Sequence, residues 1–62
     1  MNYIIKNKYK RLYYKEYNHE FIFTDIPNEA KIYTSFDEIN NELDKFNRPD
    51  LEIIGSVNVE DI

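Results

Sequence analysis

His19 and Glu20 stand side by side, and an adjacent imidazole and carboxylate can orient a general base. Such a base needs a nucleophile, and neither serine is placed to be one. Ser35 precedes Glu38 by three residues, the spacing of a helix cap, and Ser56 falls within a strand pattern. His19 therefore reads as an exposed turn residue, and the chain as a non-enzyme. Asp37, Asn41 and Glu42 could gather a divalent ion, but no EF-hand spacing or His/Cys cluster accompanies them. They read as a solvated helix face, so neither a metal nor another cofactor is expected.

The remaining chemistry is basic and aromatic. Lys8, Lys10, Arg11 and Lys15 interleave with Tyr9, Tyr13, Tyr14 and Tyr17. Tyrosine can stack on bases while Lys and Arg pair with phosphates, so the stretch 9–17 suits single-stranded nucleic acid. Against this, the net charge is −4 and no glycine–aromatic RNA-binding signature occurs. Tyrosine and arginine also carry most of the energy at protein interfaces. A protein-contact surface built on Tyr9, Arg11, Tyr13, Tyr14, Lys15 and Tyr17 is thus the leading expectation, and nucleic-acid binding the alternative.

These residues have to be positioned by some framework, and the segment from Ser35 to Asn47 organises it. Ser35 and Glu38 form a capping box, and Asp37 and Glu38 place negative charge where the helix dipole favours it. Phe36, Ile39, Leu43 and Phe46 fall on one stripe, with Asn40, Asn41, Glu42, Asp44 and Lys45 between them. Lys45 and Arg48 suit the C-terminal end of the dipole, and Pro49 is expected to stop the helix.

Strands are expected around it. Tyr3-Ile4-Ile5, the stretch 9–17 and Phe21-Ile22-Phe23-Thr24 read as a three-stranded meander, with turns at Asn7-Lys8 and Asn18-His19. Residues 25–30 read as a loop with one helical turn starting at Pro27. Ala30, Ile32 and Tyr33 are expected to tuck beneath the helix. The segment 51–59 reads as the last strand, with Leu51, Ile53, Val57 and Val59 on the helix side and Ile54 on the other. Gly55 shares the helix-facing parity and implies a close approach of the helix or a bulge. The fold class is α+β, a small antiparallel sheet of order βββαβ with one helix packed on one face.

Sixty-two residues form one domain near the lower limit for an unaided core, and without cysteine no disulfide can reinforce it. Ile4, Ile22 and Ile54 cannot all lie under one helix, so a homodimer interface is expected to bury them, by pairing the second sheet faces or, if lysines do not line the edge, two edge strands. Residues 1–20 carry +3 and residues 21–62 carry −7, an asymmetry that often marks interaction. Glu60-Asp61 and the acidic helix face could complement a basic partner. No long apolar run or signal-type segment is present, so a soluble cytoplasmic protein with no membrane partner is expected. The wealth of Asn, Ile, Lys and Tyr is a habit of AT-rich genomes.

Taken together, YIIK (3–6), FIFTD (21–25), EAKIYTSFDEINNEL (29–43) and LEIIGSVNV (51–59) resemble short meander–helix–strand proteins of phages and mobile elements in low-GC bacteria. Some phage proteins of this size inhibit host defence systems. The resemblance implies an inhibitor acting by direct binding to a host protein in the host cytoplasm, rather than by chemistry.

Overall fold

A computed structural model describes residues 2–55. Four strands, β1 (Tyr3–Asn7), β2 (Tyr13–Tyr17), β3 (Phe21–Thr24) and β4 (Leu51–Gly55), form one antiparallel sheet of order β3-β2-β1-β4. A 3-10 turn, Pro27–Glu29, and one helix, α1 (Phe36–Phe46), lie between β3 and β4. The fold is the small α+β sheet with one packed helix that the pattern predicts.

The helix begins as its sequence requires. The Ser35 Oγ accepts from the Glu38 amide at 3.4 Å, and Asp37 and Glu38 occupy the first turn. Its end falls at Asn47, as expected, but Asn47 itself rather than Pro49 makes the stop. Asn47 adopts the left-handed conformation, φ 51° and ψ 45°, and closes the helix two residues before Pro49. Asparagine tolerates this region better than most side chains. The apolar stripe is also uneven: Ile39 is fully buried, Leu43 and Phe46 are half-buried, and Phe36 is 51 % exposed.

The core divides along the parity of the strands. Ile5, Tyr14 and Leu51 face the helix and pack with Tyr33 and Ile39, joined by Tyr3, Phe21, Phe23, Leu43, Phe46 and Ile53. On the opposite face Ile4, Tyr13 and Ala30 form a second cluster with Ile54 against it. Ile54 thus lies on the face that its parity assigned. Val57 and Val59 lie outside the described residues, as do Ser56, Glu60 and Asp61.

The chain itself covers part of the second face, which alters the expected dimer surface. After β3 the segment 25–30 turns back, with the 3-10 turn at Pro27, and brings Ala30 onto Ile4 and Tyr13. Thr24 anchors it, its hydroxyl accepting from the Ile26 amide and donating to Glu29 Oε1. Ile4 is therefore 1 % exposed within a single chain, whereas Ile22 and Ile54 remain half-buried. Ala30 sits across the sheet from the helix rather than beneath it, and Ile32 is exposed.

Tyr33 does lie under the helix. It exchanges backbone hydrogen bonds with Tyr3 of β1, at 2.8 and 2.9 Å, while the Lys31 amide donates to the Tyr14 carbonyl of β2 at 2.9 Å. β1 and β2 pair at Lys6 and Tyr13, and the segment 31–33 then bonds to both strands where they part. Backbone groups freed by that divergence find partners in this wedge, as buried peptide groups must.

Candidate binding surface

The stretch 9–17 is not one strand. Asn7 ends β1, and its side-chain Oδ1 accepts from the amides of Tyr9 and Lys10 at 2.8 and 3.0 Å. The Asn7 amide donates to the Leu12 carbonyl, closing a loop over residues 8–11 before β2 begins at Tyr13. A side chain that captures backbone amides two and three residues on replaces a ladder with a turn. No glycine is needed, because asparagine supplies the acceptor.

Within β2 the two central tyrosines point to opposite faces, and both are consumed by the core. Tyr13 packs on Ile4, and Tyr14 packs beneath the helix with its ring 4.9 Å from Phe46. Each is only 2 % exposed, so neither is the contact residue that the Lys/Tyr alternation implied. Burial, reinforced by Glu42 and Glu16, pushes the Tyr14 phenol above its ordinary pKa. A bulge between Tyr14 and Glu16 leaves Lys15 out of register, and its ammonium lies 3.6 Å from Glu29. β2 is also an interior strand, so Lys15 guards no sheet edge, and Lys8 and Lys10 lie in the loop.

Tyr17 is the β2 tyrosine that reaches the surface, at 60 % exposure. A three-residue turn over Asn18, His19 and Glu20 sets it opposite Phe21; His19 takes a positive φ of 64°, and the Asn18 amide donates to Glu20. The rings of Tyr17 and Phe21 meet edge to face at 5.3 Å, and Phe21 meets Phe46 in the same way at 4.9 Å. With Lys45 these residues line a shallow groove of about 250 Å³ beside the last turn of α1. Phe46 rests on Tyr14, so the floor of the groove is continuous with the core.

The end of α1 is held from the other side. Arg48 forks onto Asp50, Nε to Oδ1 at 3.2 Å and Nη2 to Oδ2 at 2.7 Å, with its guanidinium over the rings of Phe21 and Phe23. The Arg48 hydrogen bonds hold the Asp50 carboxyl below its ordinary pKa, and the Asn7 side-chain amide adds to the effect. A second open hollow, about 360 Å³, is lined by Leu43, Asp44, Asn47, Arg48, Pro49 and Leu51.

Of the six contact residues expected from the sequence, Tyr9, Arg11 and Tyr17 are exposed, Lys15 is partly exposed, and Tyr13 and Tyr14 are internal. Phe21, Lys45 and Phe46 were absent from that set. The signal for them was the turn at Asn18-His19, which places Phe21 beside Tyr17, and Phe46 at the end of the helical stripe. His19 is exposed at the hairpin tip, and Glu42, assigned to solvent by its helical position, accepts from the Tyr33 hydroxyl and faces Lys31 at 3.7 Å. Among the described residues no group of three or more His, Asp or Glu side chains is arranged to hold a metal ion, and no helix is long and apolar enough to cross a membrane.

No protein-family model matches the chain, and neither a curated protein nor a solved structure matches it.

Proposed function

We propose that the chain is a small non-catalytic protein-binding module. The observation that carries this reading is the aromatic groove of Tyr17, Phe21 and Phe46, an apolar floor open to water and rimmed by Lys45. Rigid aromatic rings with a polar rim are the usual anchors of a protein interface. The single-strand alternative loses its platform, because Tyr13 and Tyr14 are internal, Tyr9 lies in the loop before β2 and Tyr17 ends the strand at its far side. Stacking of successive bases needs neighbouring exposed rings. The resemblance to short phage proteins adds a role: occupying the surface of a host protein, a defence protein in the sharpest form, and blocking it.

A homodimer also belongs to this reading. Its surface moves from the three isoleucines toward the sheet edges, because Ile4 is covered while Ile22 lies on edge strand β3 and Ile54 on edge strand β4. Neither edge strand contains a lysine, the residue that most often opposes strand addition. Light scattering at micromolar concentration tests it: twice 7.6 kDa is expected, and a monomer mass removes the dimer.

The binding reading is tested by affinity capture from lysate of a low-GC bacterium, with and without nuclease, with wild-type and Tyr17→Glu proteins in parallel. A host protein retained only by wild type supports it. Equal retention by both proteins, or retention lost on nuclease treatment, counts against it.

A further inference from the structure

We propose that the loop 8–11 is a preformed docking element for an acidic protein segment, a proposal that rests on the protein-binding reading and names the partner's chemistry. Lys8, Tyr9, Lys10 and Arg11 are consecutive and all exposed, with Tyr9 at 79 %. Subtracting the loop's +3 from the chain's net −4 leaves −7 on every other residue. Three of the cations elsewhere sit in ion pairs, Lys15 with Glu29, Lys31 with Glu42 and Arg48 with Asp50. Lys6 reaches backbone carbonyls, and Lys45, unpaired among the described residues, stands on the groove rim. Among the described residues no carboxylate lies within ion-pair distance of Lys8, Lys10 or Arg11.

The backbone of this loop is pinned while its side chains point outward. Asn7, buried to all but 7 %, holds the Tyr9 and Lys10 amides, and its own side-chain amide donates to Asp50 at 3.2 Å. The Lys8 amide donates to the Asp50 carbonyl at 2.7 Å, and the Lys6 ammonium reaches the Lys10 carbonyl at 3.5 Å. A loop fixed in this way has already lost the backbone entropy that binding would otherwise remove. Because Asn7 occupies the Tyr9 and Lys10 amides, those amides are not available as an anion-binding nest, and the three cationic side chains must make the contact. Tyr9 adds a flat apolar surface with a hydroxyl at its tip.

The charge around the loop decides between anions. A nucleic-acid strand is a long polyanion, and past the Debye length of about 8 Å it would run over a surface on which the described residues outside the loop carry −5. A cluster of Asp and Glu on a protein is local and meets the loop alone.

The test follows backbone amide resonances of the intact chain titrated with a ten-residue oligoglutamate peptide or with a ten-nucleotide oligothymidylate at low salt. Shifts confined to residues 7–12 with oligoglutamate, at least about tenfold weaker in a Lys8→Ser/Lys10→Ser/Arg11→Ser variant, support the proposal. The three positions are exposed, so this variant keeps the wild-type melting temperature. Tighter binding of oligothymidylate, no response to oligoglutamate, or shifts spread evenly over Lys15, Lys31 and Lys45 overturns it. The Tyr17→Glu variant separates the two readings: it leaves oligoglutamate binding at 8–11 intact even where it abolishes capture.

Discussion

Tyr3 lies across Gly55, its partner on the neighbouring strand: a Cβ added to Gly55 would sit 2.7 Å from both Cδ1 and Cε1 of the Tyr3 ring. The ring meets Phe36 at 5.7 Å, so one tyrosine spans from β4 to the start of α1. The close approach at this glycine, expected of the helix, is made instead by an aromatic side chain of β1.

Gly55→Ala is expected to destabilise by about 1–3 kcal/mol, the usual range for overpacking, despite the better strand propensity of alanine. Combining it with Tyr3→Ala should cost less than the two single changes together, since the clash disappears. Urea midpoints of the four proteins check this, and a neutral Gly55→Ala refutes it.

The helix stripe should prove graded. Ile39→Ala is expected to cost about 2–5 kcal/mol, Leu43→Ala less, and Phe36→Ala least, following burial from complete to half to slight. Thermal or urea unfolding of the three variants would expose any other order.

Acid should weaken the join between α1 and β1. The Asp50 carboxyl sits below its unfolded pKa of about 3.9, so its contribution is present above that value and fades as pH falls through the folded one. Asp50→Asn is expected to flatten the loss of melting temperature below about pH 4. An unchanged acid limb would show that other carboxylates set it.

Alkali should act through the buried phenols. Burial first, then Glu42, raises the Tyr33 pKa, and Tyr14 is raised by burial and by Glu42 and Glu16. The unfolded chain ionises near pH 10 while these folded phenols resist, so stability is complete below about pH 10 and falls as pH climbs toward the folded values. Tyr33→Phe is expected to be less stable at neutral pH, through loss of its hydrogen bond to Glu42, and less sensitive above pH 10. Circular dichroism across pH 8–12 measures both effects, and an equally steep alkaline limb in the variant would exclude Tyr33 as its source.

Local patterns settled most elements of this protein, though not the loop at 8–11. Ser35 with Glu38 marked the start of the helix, the stripe through Ile39 marked its buried side, Pro27 marked the short turn, and strand parity sent Leu51 and Ile53 one way and Ile54 the other. These features depend on residues a few positions apart, and sequence spacing encodes them directly. The fate of the tyrosines depended on distant segments. Tyr13 became internal because Ala30 returned over it, and Tyr14 because Phe46 came down on it. The same alternation looked like one contact strand, because β propensity does not reveal which ring will be covered. Asn7 was equally opaque: a polar residue between strands reads as a turn, and only the fold shows it buried, shaping the cationic loop and tied to Asp50. Burial is decided by what packs from elsewhere in the chain, and that is a property of the tertiary structure.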